Sequence, residues 1–175
     1  MKKPDAGLKA RHARDVVLAA AITVLAVTIP LTTMAAEADP MVARGRYLVQ
    51  IAGCNDCHTP DYMFKAGAVD ESLWLTGSSL GWNGPWGTTY PPNLRLVAQT
   101  LTEQQWLIHA RTPRRPPMPW FAIRDMTDED VTSIYRYLRH AGPAGEPAPS
   151  ALEPGEQPPG PVFSAPKPPQ QAAGG

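Results

Sequence analysis

Two cysteines and a histidine fall within five residues, Cys54-Asn55-Asp56-Cys57-His58, and the chain has no other cysteine. This cluster constrains the fold more than any other feature. On a helical turn, side chains three and four positions apart share a face, so both thiols and the imidazole point the same way. A structural zinc site needs two more ligands at suitable spacing, and His109 and His140 lie far along the chain without it. A thioredoxin-like motif opens a helix after a strand in an alternating strand–helix chain; no such alternation is visible. In an exported protein, one disulfide is the plain reading of two cysteines. The histidine directly after the second cysteine makes the other reading, C-x-x-C-H, the attachment signature of a c-type haem.

The N-terminus decides between these settings. Lys2, Lys3, Lys9, Arg11 and Arg14 precede an apolar run from Val16 to Ile29, closed by Pro30, and Ala36-Glu37-Ala38 fits a small-x-small cleavage site. Basic, apolar and small segments in that order read as a secretory signal over residues 1–38. The run is shorter than the ~20 apolar residues that span a bilayer. An uncleaved anchor through residues 16–29 is the alternative, and would tie the chain to a membrane. Either way the mature chain is expected in the periplasm or otherwise exported. Export and motif agree on one covalent haem c, held through Cys54 and Cys57 with His58 on the iron. Lys plus Arg and Asp plus Glu both number 16, and that balance argues against nucleic-acid binding, which needs a basic excess.

The mature chain reads in pieces. Residues 40–58 are expected to be one helix running into the motif, with Val42, Tyr47, Leu48, Ile51 and Ala52 as apolar positions. Gly45 costs about 1 kcal/mol in helix propensity, which makes sense if another helix or the haem approaches closely there. Residues 59–100, rich in glycine, proline and aromatics, read as irregular loop, a length justified if it wraps a large flat ligand. Thr102 and Gln105 form a capping box for a helix over 102–111, with Leu101 and Trp106 as staple. Thr127 caps a second helix over 127–141, with Met126 and Val131 as its staple. There Val131, Ile134, Tyr135 and Leu138 share a face, and Gly142-Pro143 ends it. The expected class is all-α: a haem domain over 39–142, then a disordered Pro/Ala/Gly-rich tail over 143–175.

A sixth iron ligand is sought among Met63, Met118, Met126 and His109; an open site is the remaining option. Met118 sits in Pro116-Pro117-Met118-Pro119-Trp120, a stiff segment between two helices. A soft, neutral thioether there favours ferrous iron. Trp86, Tyr90, Asn93 and Arg95 can donate hydrogen bonds to the haem propionates; loop core is the competing role for Trp86 and Tyr90. Arg111, Arg114 and Arg115 precede Met118, either as a rim that steers an acidic partner or as a solvated basic loop.

The arrangement resembles the small class I cytochromes c. Gly45-Arg46-Tyr47-Leu48 is similar to that family's N-terminal helix, and Ile134-Tyr135-Arg136-Tyr137-Leu138-Arg139 to its C-terminal helix. Gly84-Pro85-Trp86-Gly87 and Tyr90-Pro91-Pro92-Asn93-Leu94 resemble the cytochrome c subunits of bacterial membrane-linked dehydrogenases. The chain departs from them at Arg95-Leu96-Val97. The resemblance covers about 100 residues, 40–141, and implies two end helices packed around one haem, with methionine supplied from a far loop. It implies a single-electron carrier rather than an enzyme, working with a dehydrogenase, an oxidase or another cytochrome. A gas sensor or haem enzyme with a labile sixth ligand is the rival. A haem-free export module with one disulfide is a third reading.

Overall fold

Asp39 opens the described part of the chain: its side chain accepts a hydrogen bond from the Met41 amide, and Pro40 starts α1 (Pro40–Ile51) at the one helical position where a missing N–H costs nothing. The structure is a computed structural model that describes residues 39–166. The expected signal at 1–38 and the last tail residues, 167–175, lie outside it.

Helix α1 does not run through to His58. Gly53 takes φ 70 and breaks the helix, and a separate short helix, α2 (Cys54–His58), carries the motif. After a 3-10 turn at Glu71–Leu73 come a hairpin, β1 (Gly81–Gly84) and β2 (Gly87–Thr89), and then α3 (Leu94–Thr100), α4 (Glu103–Arg111) and α5 (Trp120–Arg124). Helix α6 (Asp128–Ala141) closes the helical body, and β3 (Val162–Ser164) comes last. The all-α expectation is therefore corrected: among the described residues, six α-helices accompany a mixed three-stranded sheet of order β2-β1-β3. Strand β1 pairs antiparallel with β2 and parallel with β3, with Trp82 opposite Thr89 on one side and Phe163 on the other.

The physical reason is backbone satisfaction. A lone two-stranded hairpin is marginal in water, and the exposed edge of β1 takes its third strand from the tail. The tail expected to be disordered is thus ordered as far as Pro166. It has few apolar side chains, yet its backbone is paired: Gly81 N–H to Pro161 O at 3.0 Å, Thr88 and Leu152 in a mutual pair at 3.0 and 2.8 Å, and Ala165 N–H to Asn83 O at 2.8 Å.

The core lies where α1 crosses α6. Leu48 and Val49 meet Val131, Ile134, Tyr137 and Leu138, with Trp74, Leu75, Ala98 and Trp106 filling the sides. The capping box at Thr102 and Gln105 is present on both arms, and Thr127 caps α6 through the Asp130 amide. Trp106 reaches across from α4 and donates its indole N–H to Val131 O at 3.0 Å. Gly45 lies against α6. A Cβ there would meet Ser133 backbone oxygen, would sit 2.5 Å from the Ser133 carbonyl carbon and would come within 2.8 Å of Tyr137 Cβ.

Candidate haem-attachment site

Gly53 both ends α1 and caps α2, so the turn that carries Cys54, Cys57 and His58 starts fresh from a left-handed residue. Both thiols are free and partly buried, and His58 is buried. Burial pushes the Cys54 thiol up to about 11, and pushes Cys57 up as well.

The motif is braced from three directions. Leu75 N–H donates to Thr59 Oγ1 at 2.8 Å, and that hydroxyl donates to Asn55 Oδ1 at 2.8 Å, all within the buried interior. Gly77 N–H donates to His58 O at 2.7 Å. Leu75 adopts φ 61, a strained conformation for leucine. It is held because its carbonyl also accepts from Leu94 and Arg95 N–H at 3.0 and 3.4 Å.

The third brace acts on the imidazole. His58 Nδ1 lies 2.9 Å from Pro92 O. A carbonyl only accepts, so Nδ1 carries the proton and Nε2 keeps its lone pair. This is how proteins orient a metal-ligating histidine and raise its basicity. Burial lowers the His58 pKa, partly offset by the Pro92 carbonyl, so the ring stays neutral at pH 7.

A crevice opens beside Cys57, lined in part by Tyr62, Met63, Phe64, Leu80 and Trp82. Trp86 Nε1 and Tyr90 Oη are buried donors with no hydrogen-bond partner among the described residues. Leaving such groups unpaired costs about 1–3 kcal/mol each, so they call for an acceptor from outside the chain. Two thiols three apart, a bare Nε2 and two orphaned donors fit a covalently held haem with anionic propionates.

Asn93 and Arg95 do not share that position. Asn93 caps α3 through the Leu96 amide at 3.0 Å and gives its own N–H groups to Ala144 and Glu146 carbonyls at 2.7 and 3.2 Å. Arg95 is buried and spends its guanidinium on Gly142 and Ser72 carbonyls, each at 2.6 Å, and on Ala141 O. A cation is favourable against the carbonyls that end α6. The donor chemistry expected of both residues is present, but their acceptors are backbone carbonyls.

The other candidates are spread out. Met118 is half-buried in the segment between α4 and α5, with its carbonyl accepting from Trp120 N–H at 2.9 Å. Met126 packs on the core, as its staple role requires. His109 lies 6.0 Å from the Trp106 ring, and burial and then Arg114 lower its pKa. The three arginines before Met118 all have partners: Arg111 with Asp128 at 2.7 Å, Arg114 with His109 O at 2.8 Å, Arg115 with Glu153 at 2.6 Å. The Pro92 carbonyl and the Asn55–Thr59–Leu75 relay escape sequence reading, because backbone acceptors and loop crossings leave no residue signature.

This site belongs to a chain related to the cytochromes c. It is similar to cytochrome c subunits of dehydrogenases: 30% identical over 125 residues to the gluconate 2-dehydrogenase cytochrome c subunit of Pantoea cypripedii, covering 62% of this chain. It is also 30% identical over 132 residues to the fructose dehydrogenase cytochrome subunit of Gluconobacter japonicus, covering 70% of this chain. The matched regions make up only 28% and 26% of those relatives. No protein-family model matches the chain, and no solved structure matches it. Among the described residues, no helix is long and apolar enough to cross a membrane.

Proposed function

We propose that the chain is a monohaem c-type cytochrome of the class I kind, an exported single-electron carrier whose haem domain begins near Asp39 and runs to Gly142. The haem c is joined through Cys54 and Cys57, with His58 and Met118 as axial ligands. The observation that carries the reading is the His58–Pro92 hydrogen bond at 2.9 Å, which leaves Nε2 free beside two thiols of the attachment spacing. When bound, the haem supplies one reversible ferrous/ferric couple. The chain's residues do the rest. Cys54 and Cys57 fix the ring covalently, His58 holds the iron from one side, and Trp86 and Tyr90 donate to the propionates. Burial of the site keeps water from the imidazole and the thioethers. The relatives named above are subunits of dehydrogenases, and a dehydrogenase is the partner this reading favours; the expected compartment is the periplasm.

The test is the absorption spectrum of the matured, oxidised protein, followed into the far red where sulfur–iron charge transfer absorbs. A haem spectrum with that band, lost in Met118→Ala, is the expected result. Protein matured without any haem spectrum would overturn the attachment. Haem without the band would remove Met118 from the iron.

A further inference from the structure

The chain does not stop once α6 has closed the helical body. It runs back over the hairpin, and it touches the Met118 segment on the way. Leu152 pairs with Thr88 of β2. Its carbonyl lies so close to Gly87 that a Cβ there would collide with it, and Gly87 has φ 92. Arg115, three residues before Met118, pairs with Glu153 Oε1 at 2.6 Å and points its other nitrogen at Leu152 O and Trp86 O, at 3.4 and 3.5 Å. On the neighbouring residue, Pro116 O accepts from Thr89 Oγ1 at 2.9 Å. Two consecutive residues of the Met118 segment are thus moored, one to the tail and one to β2.

The sheet explains why the tail is a firm mooring. Phe163 lies in β3 with its ring 4.8 Å from Trp82 and 6.0 Å from Phe64. The tail is therefore held at β1 as well as at Thr88, and Glu153 lies between those attachments. Among the described residues, Arg114 and Thr112 tie the start of the Met118 segment back to α4, at His109 O and Ile108 O, but its later residues are held at the tail and β2. Residues 112–117 are exposed, and α5 has no side-chain cap.

From this geometry we infer that the tail is a strap that positions Met118, with Arg115 as the positioning residue and Glu153 as its anchor. The inference rests on Met118 being the axial ligand. Its content is about populations. A strap that fixes the segment at Arg115 and Pro116 lowers the share of molecules in which the sulfur has swung away from the iron. The Arg115–Glu153 pair is solvent-exposed, at 43% and 67% side-chain accessibility, so its effect is limited to what a surface pair can deliver.

The test uses the full, haem-loaded chain. Carbon monoxide binds ferrous haem only when the sixth position opens, so its binding rate reports how often Met118 leaves. Arg115→Gln and Glu153→Gln are each expected to raise that rate about threefold, the scale of an exposed ion pair. They should also weaken the far-red sulfur–iron band at mildly denaturing conditions. Thr89→Val, which removes the mooring at Pro116, should do the same. The exchange Arg115→Glu with Glu153→Arg should bring the rate back toward wild type, short of it by what the carbonyl contacts of Arg115 contribute. A purely structural tail would lower the melting temperature in all variants and leave the rate at native conditions unchanged, and that result overturns the strap. If Met118→Ala loses the band while Arg115→Gln leaves rate and band untouched, the ligand stands and the positioning role falls. If the wild-type protein lacks the band, both fall together.

Discussion

Replacing Gly45 by alanine sets two effects of opposite sign against each other. Helix propensity alone makes Gly→Ala in the middle of α1 stabilising by about 1 kcal/mol. The crossing with α6 opposes it. The new Cβ would fall 2.5 Å from the Ser133 carbonyl carbon and 2.8 Å from Tyr137 Cβ, where ordinary contact begins at 3.4 Å. Two of these atoms are backbone or backbone-attached, so no side-chain rotation relieves the clash. The helices must part by close to an ångström along the seam of Leu48, Val49, Ile134 and Leu138. A gap of that size forfeits about a quarter to a half of each dispersion contact, and overpacking of this kind costs about 1–3 kcal/mol or more. Because the clashing atoms are fixed to the backbone, the cost falls at the upper end of that range, and less the propensity gain it leaves a net loss of about 2 kcal/mol, against a typical domain stability of about 5–15 kcal/mol. The assay is guanidinium unfolding of the haem-loaded protein followed by far-ultraviolet circular dichroism, with a fall of about 6–10 °C in Tm as the thermal counterpart. Ala43→Gly, on the exposed face of the same helix, is the control and should cost about 1 kcal/mol. A Gly45→Ala protein as stable as wild type would refute the close crossing.

Three further predictions follow from the same contacts. Glu71 accepts from Arg46 at 2.7–2.9 Å and from Tyr137 at 2.9 Å, and chiefly the Arg46 hydrogen bond holds its carboxyl below the usual value. A depressed folded pKa adds stability above the unfolded value of about 4.3, lost as pH falls through the folded pKa. Glu71→Gln should therefore cost under about 1 kcal/mol at pH 7 and flatten the acid limb of the stability curve. Arg95→Leu should lose about 1–3 kcal/mol by stranding three part-buried carbonyls while leaving the reduction potential in place; a shifted potential at unchanged stability would instead mark a propionate partner. Trp106→Phe should cost about 1–3 kcal/mol in thermal unfolding, because Val131 O loses its buried donor.

The parts of the fold legible in the sequence are those fixed by local chemistry. Thr102-x-x-Gln105 and Thr127 announce helix starts because capping is satisfied within one turn. Gly45 announces a close approach because nothing local rewards a glycine there. What the sequence hid depends on distant backbone. Strands β1 and β2 are four and three residues long, too short for alternation to register, and their third partner lies beyond α6. Helix α3 was within reach: Asn93 before Leu94, Val97 and Ala98 is a cap before an apolar face. The same amide suits a propionate equally well by donor chemistry, which is why the cap does not stand out. The site divides the same way. Cys54, Cys57 and His58 are legible as a motif, and Trp86 and Tyr90 as aromatic donors in a loop, whereas the Pro92 carbonyl leaves no side-chain trace.

The crossing of α1 and α6 also sets an order of events. Arg44 and Asp130, joined across it, are 86 positions apart. A chain made from its N-terminus presents the cysteine pair long before α6 exists to pack on α1, and before the returning tail can close over the hairpin. Contacts of such long range form late and slowly. The thiols therefore spend the whole interval in an open, unlocked chain, accessible to whatever must reach them. The stretches that follow, α6 and the returning strand, are the ones that end that accessibility. Timing, on this view, is written into the distance between the two halves of the core.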